Sequence, residues 1–344
     1  MIRESLLYLS DHPRIREIVS ELPAAKRVTR RFVAGETLPE AVQVAKSLNA
    51  AGLSVTLDHL GEAVSLPEDA RVATVEAVRM LETISSGKIQ ANISLKPTQL
   101  GLAIDESLCV SNLRRILERA RELGDGDGEI FVRLDMESSE FTEQTVSLVE
   151  TFWGEGFRNI GTVVQSYLHR APIDIDRLVS LGSRIRLVKG AYRESDRVAF
   201  QKKDEVDRKF VEQMGTLLEA DHCAAIATHD EEIIAATRQY AFEHGILRNS
   251  FEFQMLYGVR RDLQQRLREE GYNVRVYLPF GGSWYPYLMR RMAERPANLF
   301  FVLENVARES SLKEVSGPLA LGSGFVLGAL ATRLWRQSRQ REDR

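Results

Sequence analysis

Short β-rich runs alternate with longer amphipathic stretches eight times in succession, and this alternation constrains the chain more than any other property. The strand candidates cover residues 53–57, 91–96, 129–135, 159–165, 184–189, 224–228, 250–254 and 273–278. The helical stretches between and after them cover 67–85, 106–123, 139–154, 173–181, 204–220, 231–244, 259–270 and 283–295, with a last one over 297–308. Unbroken β/α alternation argues for a parallel sheet covered by helices, and eight units argue for closure into a barrel. An open doubly wound sheet has the same periodicity, but no GxGxxG or P-loop follows the first strand, which weakens a dinucleotide-binding version of it. The expected fold is therefore a (βα)8 TIM-type barrel over residues 51–308. It would be preceded by an N-terminal helical segment, 1–50, broken at Pro13, Pro23 and Pro39, and followed by a tail, 309–344. At 344 residues and 44% hydrophobic content the chain can bury a core of that size.

In such a barrel, chemistry sits at the C-terminal ends of the strands. Those ends read Asp58, Lys96, Asp135, Gln165, Lys189, Thr228 with His229, Gln254 and Tyr277. Arg186 alternates with Ile185 and Leu187, so it points into the barrel or along one wall, and a buried guanidinium needs an acceptor. Asp135 can be that acceptor, as can a cofactor phosphate. Otherwise Asp135 would be a helix N-cap. It is also the candidate to offset the cations at Lys96 and beyond the last strand. After that strand, Tyr287, Arg290, Arg291 and Glu294 share one helical face, opposite Tyr285, Leu288, Met289 and Met292. Two adjacent guanidiniums suit a carboxylate. In isolation the same pattern is a surface helix whose arginines pair with Glu294. The Lys189-Gly-Ala-Tyr-Arg193 loop lets backbone approach a ligand. Thr228-His-Asp230 precedes a helix N-terminus, where it either suits a phosphate or simply caps the helix.

Other chemistries lack support. The six histidines form no HxH or HExxH pattern, so no catalytic metal is expected. Gly124-Asp-Gly-Asp-Gly128 lacks the spacing of a calcium loop. There is no GxSxG. The net charge of -3 gives no basic field for nucleic acid. Two cysteines without redox spacing suit a reducing compartment, and the N-terminus is too short and polar for a secretory signal, so a cytoplasmic location is expected. Residues 318–331 are apolar and rich in small side chains, and five arginines follow them. Two readings stay open for this tail: a helix packed on the barrel or on another subunit, and a peripheral contact with the inner face of the membrane.

Taken together, several stretches resemble the proline dehydrogenase family. They are Leu57-Asp-His-Leu-Gly-Glu62, Ser94-Leu-Lys96, Phe131-Val-Arg-Leu-Asp-Met136, Val164-Gln165, Arg186-Leu-Val-Lys-Gly-Ala-Tyr192, Ala227-Thr-His229, Tyr277-Leu-Pro-Phe-Gly281 and Trp284-Tyr-Pro-Tyr-Leu-Met-Arg-Arg291. The resemblance spans about residues 50 to 305. It implies a distorted (βα)8 barrel that holds FAD non-covalently across its strand ends and oxidises L-proline to Δ1-pyrroline-5-carboxylate, with electrons passing to a membrane quinone. It implies Asp135 and Arg186 as catalytic residues. Lys96, Arg290 and Arg291 would hold the substrate carboxylate, Glu294 would orient the arginines, Tyr277 would pack on the pyrrolidine ring, and Tyr192 would be a substrate-side aromatic. FAD would be met by Met136, Gln165, Arg186, Lys189, Gly190, Ala191, Thr228 and His229. With no second catalytic domain in the chain, a separate pyrroline-5-carboxylate dehydrogenase is expected as partner. Phe280, Arg193 and Pro97 depart from the usual family pattern. Two alternatives remain: the same chemistry on hydroxyproline, and a catalytically silent, membrane-associated relative.

Overall fold

A computed structural model describes residues 29–61, 64–124 and 128–294. The chain divides into two compact units. One is Phe32–Gly282; the described part of the other comprises residues 29–31 and 283–294. In the first unit eight parallel strands close into a barrel in sequence order. They are β1 (Ser54–His59), β2 (Ala91–Leu95), β3 (Val132–Leu134), β4 (Ile160–Gln165), β5 (Ile185–Val188), β6 (Ala225–Ala227), β7 (Glu252–Leu256) and β8 (Asn273–Phe280). Helix α1 (Leu38–Ala50) leads into β1. After the successive strands come α2 (Pro67–Gly87), α3 (Glu106–Glu122), α4 (Thr142–Gly154), α5 (Ala171–Leu181), α6 (Lys203–Glu219), α7 (Glu231–Glu243) and α8 (Arg261–Glu269). The second unit contributes α9 (Trp284–Glu294). All eight expected strands are present, several of them shorter than the sequence suggests. The stretch 297–308 and the tail 309–344 lie outside the described residues, as do residues 1–28.

The barrel is polar inside. Most outward positions, including Val55, Leu57, Ile93, Val132, Leu134, Leu187, Phe253, Val274 and Val276, join one apolar cluster with the helices. Inward positions carry Thr56, Asp58, Ser94, Arg186, Glu252, Gln254, Arg275 and Tyr277. Their bonds run between neighbouring strands and across the lumen, as from β5 to β2 and β3 and from β8 to β3. Barrel interiors are usually filled with branched aliphatics. Here the apolar stabilisation lies in the strand–helix layer, and the lumen is held by hydrogen bonds and ion pairs.

Local sequence sets this geometry. Asp105 caps α3 and Asp230 caps α7, each accepting from the backbone N–H two residues on. Thr37 and Glu40 form a capping box on α1. Gly161 in β4 is required by close approach: a Cβ there would lie 2.3 Å from the Arg184 carbonyl and 2.8 Å from the Phe131 ring. That carbonyl and the Thr162 carbonyl accept from the buried guanidinium of Arg133 at 2.7 and 2.9 Å. The segment before α1 is tied to the end of β8 by the Ala34 N–H on the Pro279 carbonyl and the Gly281 N–H on the Gly35 carbonyl, both 2.9 Å.

On α9, Tyr285, Leu288 and Met289 are buried, as the spacing predicts. Tyr287, placed by the same spacing on the arginine face, is buried too. Burial on this helix is therefore wider than the apolar stripe.

Phe253 marks the outer layer; it is fully buried and packs edge-on against Phe251 and Tyr272 at centroid distances of 5.5 and 5.3 Å. Phe253→Ala should destabilise the folded chain by about 3–5 kcal/mol. A denaturant titration would show this as a lower midpoint at unchanged slope, and an unchanged midpoint would contradict the layer assignment.

Candidate functional site

The C-terminal ends of the strands converge on Asp135. Its backbone N–H still donates to the Leu95 carbonyl, which holds the residue in line with β3 at the rim. Its carboxylate accepts three hydrogen bonds. Ser94 Oγ donates to Oδ1 at 2.6 Å, Arg186 Nη1 donates to Oδ1 at 2.7 Å, and Tyr277 Oη donates to Oδ2 at 2.7 Å. Burial by itself would raise the Asp135 pKa. The charges of Arg186 and Lys96 and the two hydroxyl donors outweigh it and hold the group below the usual carboxylate range. Tyr277 is pushed well above its ordinary value by burial and by the charges of Asp135 and Asp58. It therefore stays protonated and keeps donating. The Arg186 guanidinium lies 5.2 Å from the Tyr277 ring centroid.

Lys96 follows β2. Its direct partner is Asp58, at 2.7 Å, rather than Asp135. Asp135, the carboxylate expected to offset the lysine, acts on it through its charge, and Asp58 makes the ion pair that the sequence did not point to. Asp58 reaches Lys96 because β1 and β2 are adjacent, with Asp58 opposite Ser94 in the register. Burial pushes the ammonium down, but Asp58, Asp135 and Glu137 outweigh it, and Lys96 stays charged. An ammonium has three N–H donors, so two remain beyond the Asp58 bond.

Gln165 ends β4. Its Nε2 donates to the Met136 and Glu137 carbonyls, each at 3.2 Å. This fixes the amide so that Oε1 faces away, buried and without a partner among the described residues. Arg186 Nη2 is buried and likewise lacks a partner among the described residues. An unpartnered acceptor and an unpartnered donor on adjacent strands call for a ligand that offers both complements.

Lys189 is already paired, with Asp207 at 2.5 Å and Asp230 at 2.9 Å. The following Gly190 has φ +110°, and a Cβ there would lie 2.3 Å from the Tyr167 ring. Ala191 and Tyr192 are exposed. Thr228 is buried, and its Oγ1 accepts from the Asp230 N–H at 3.1 Å. His229 Nε2 accepts from the Leu256 N–H at 2.9 Å, which leaves the proton of the neutral ring on Nδ1. The cluster before α7 thus carries a carboxylate that caps the helix, and Lys189 joins it to Asp207 on α6, where the sequence also allowed a phosphate seat.

The structure gathers Asp135, Arg186, Tyr277, Lys96, Met136 and Gln165 at one end of the barrel, with Lys189, Thr228 and His229 on the neighbouring strand ends. Arg290, Arg291 and Glu294 belong to α9 in the second unit. Their side chains fall outside the described residues, so the paired-guanidinium expectation has no geometry to set against it. Asp58 and Gln254 stand among the strand-end positions of the sequence but without a specific role there. Ser94 stands inside a quoted motif, and Glu252 was detectable as a polar residue two before Gln254 in a β-rich run. Nothing in the sequence points from Lys189 to Asp207. Among the described residues no cluster of metal-ligating side chains occurs.

A family model described as proline dehydrogenase matches residues 41–304. The chain is 42% identical over 279 residues to proline dehydrogenase 2 of Bacillus subtilis, covering 81% of this chain and 90% of the relative. It is 37% identical over 312 residues to proline dehydrogenase of Deinococcus radiodurans, covering 90% and 98%. Among solved structures it resembles proline utilization A from Bdellovibrio bacteriovorus inactivated by N-propargylglycine, with a TM-score of 0.73 at 25% identity, over 78% of this chain and 32% of that one. The chain thus spans about a third of that larger protein.

Asp135 makes the site acid-sensitive. Its folded pKa is lowered, so as pH falls the unfolded chain takes up the proton first, and stability is lost as pH drops below the unfolded value of ~3.9 towards the folded one. Asp135→Asn should be less stable at neutral pH by about 3–5 kcal/mol, because Arg186 loses its counter-charge. It should also lose less further stability on acidification than the wild type. Urea midpoints measured between about pH 6 and pH 2.5 check both; parallel curves would show that Asp135 is not the depressed group.

Proposed function

Because the chain belongs to the proline dehydrogenase family, we propose that it oxidises L-proline to Δ1-pyrroline-5-carboxylate with FAD as the bound acceptor and a quinone as the next one. The observation that carries this reading is the pair of buried atoms on the adjacent strands β4 and β5 that lack a partner among the described residues, Gln165 Oε1 and Arg186 Nη2. The edge of a flavin ring offers an N–H and several acceptor atoms, so these residues fit it. Met136, Lys189, Gly190, Ala191, Thr228 and His229 would complete the FAD contacts.

When bound, FAD would supply a two-electron, two-proton acceptor, and a quinone would take the electrons on. The substrate loses its ring N–H and one hydrogen from the adjacent carbon, and a C=N bond forms. The ring nitrogen must be neutral for this. The cations Lys96 and Arg186 disfavour its protonated form. The two N–H donors of Lys96 without a partner among the described residues suit the substrate carboxylate. By the family resemblance Arg290 and Arg291 would bind that carboxylate too, with Glu294 orienting the pair. Tyr277 is held by its bond to Asp135, so its ring offers a fixed apolar face to the pyrrolidine. Tyr192 would add an aromatic on the substrate side. Arg186, held by Asp135, suits the negative charge that develops on reduction. The product would pass to a pyrroline-5-carboxylate dehydrogenase. No helix among the described residues is long and apolar enough to cross a membrane.

Purified protein should be yellow. Its flavin absorbance should bleach on anaerobic addition of L-proline and return with a soluble quinone. A colourless protein that takes up no FAD refutes the reading, and faster bleaching by 4-hydroxyproline would reassign the substrate. Arg291→Met should raise KM for proline about 10²-fold, the loss expected of a charge-assisted bidentate contact, with FAD still bound. A KM equal to that of the wild type would rule out the carboxylate role.

A further inference from the structure

A hydrogen-bonded relay runs inside the barrel from Arg186 to Arg275 through Gln254 and Glu252. Arg186 Nε donates to Gln254 Oε1 at 2.5 Å. Gln254 Nε2 donates to Glu252 Oε1 at 2.5 Å. Arg275 Nε donates to both Glu252 oxygens, at 2.9 and 3.0 Å, and its Nη1 donates to the Val55 carbonyl at 2.9 Å. Arg186, Gln254 and Glu252 are all buried.

The relay has one direction. A glutamine amide can be turned either way, but a guanidinium only donates and a carboxylate only accepts. The Gln254 oxygen must therefore face Arg186 and its nitrogen must face Glu252. Glu252 stays ionised. Burial pushes its pKa up, but the charge and hydrogen bond of Arg275, the Gln254 bond and the charge of Arg133 outweigh that and hold it down.

The guanidinium of Arg186 is thereby fixed on two edges. Nε rests on Gln254, while Nη1 rests on Asp135 and, at 3.3 Å, on Ser94. Two anchored nitrogens define the plane of the group. Nη2 is left as the unpartnered donor among the described residues. Asp135 alone would leave the plane free to turn about one contact.

We propose that Gln254 and Glu252 are positioning residues for the oxidation, with Gln254 setting the plane of Arg186 towards the flavin and Glu252 acting through Gln254 by fixing the sense of its amide. This rests on the FAD-dependent reading above. The side-chain bonds of both residues run to Arg186, to each other and to Arg275. Gln254→Met keeps the volume and removes the acceptor for Nε. Glu252→Gln keeps the shape and lets the Gln254 amide turn its nitrogen towards Arg186.

The test compares FAD-loaded wild type, Gln254→Met, Glu252→Gln and the double variant. It reads kcat and KM for L-proline, the midpoint potential of the bound flavin, and the Kd for FAD. Gln254→Met should lower kcat about 10²-fold, the loss typical of a misplaced catalytic group. KM should be nearly unchanged and the potential more negative, because the reduced flavin loses a well-placed cation. Glu252→Gln should shift both in the same direction by less. The double variant should be no worse than Gln254→Met. Wild-type kcat and potential in Gln254→Met would overturn the proposal, and so would additive losses in the double variant. If Gln254→Met does not fold, the isosteric Glu252→Gln decides by its potential. A wild type that binds FAD but is not reduced by proline overturns the substrate reading alone, and the potentials still decide the relay. A wild type that binds no FAD overturns both.

Discussion

The carboxylate of Asp135 is the point on which the site hangs. Three donors from three different strands, β2, β5 and β8, end on its two oxygens. A buried anion of this kind is tolerated only when its lone pairs are met and an opposite charge is near. Both conditions hold, and meeting them fixes the rotamers of Ser94, Arg186 and Tyr277 at once. The same contact that makes the carboxylate stable in the lumen therefore places a cation and an aromatic ring side by side inside the barrel.

This arrangement separates two tasks that one core usually shares. Cohesion comes from the apolar layer between strands and helices, where side-chain volume matters. Orientation comes from the lumen, where Glu252, Arg275, Gln254 and Arg133 leave few alternative pairings. A lumen filled with aliphatics would be at least as stable by area burial alone, but it could not aim a guanidinium. Polar packing in the lumen is consistent with a barrel whose working parts start one layer below the rim.

Much of this was legible in the sequence. The alternation of strand and helix carried the fold, because period and order survive uncertainty about where each element ends. Strand ends carried Asp135 and Gln165, since a parallel barrel sends every strand end to one face; Tyr277, read as a strand end, lies inside β8, which runs on to Phe280. Arg186 was legible through its alternation with Ile185 and Leu187, which left it nowhere to go but inward. What could not be read was pairing. Lys96 belongs to Asp58 because of the β1–β2 register, and register is a three-dimensional fact. Lys189 belongs partly to Asp207, on a helix whose rotation about its own axis no local pattern reveals. Helical spacing put Tyr287 on a face with Arg290 and Arg291 but does not tell how far burial extends round a helix, and Tyr287 is buried.

Barrel closure also has a consequence for how the chain is made. β1 pairs with β8, and Arg275 donates to the Val55 carbonyl across 220 residues of sequence. Until β8 has left the ribosome, β1 has an unpaired edge and Glu252 has no Arg275. The seam thus ties the burial of the charged lumen to the last strand to be synthesised, and contacts of such long sequence separation form slowly. A nascent chain that stops short of β8 would hold an open sheet with ionised groups still in water, so the final strand works as a completion check on the whole interior.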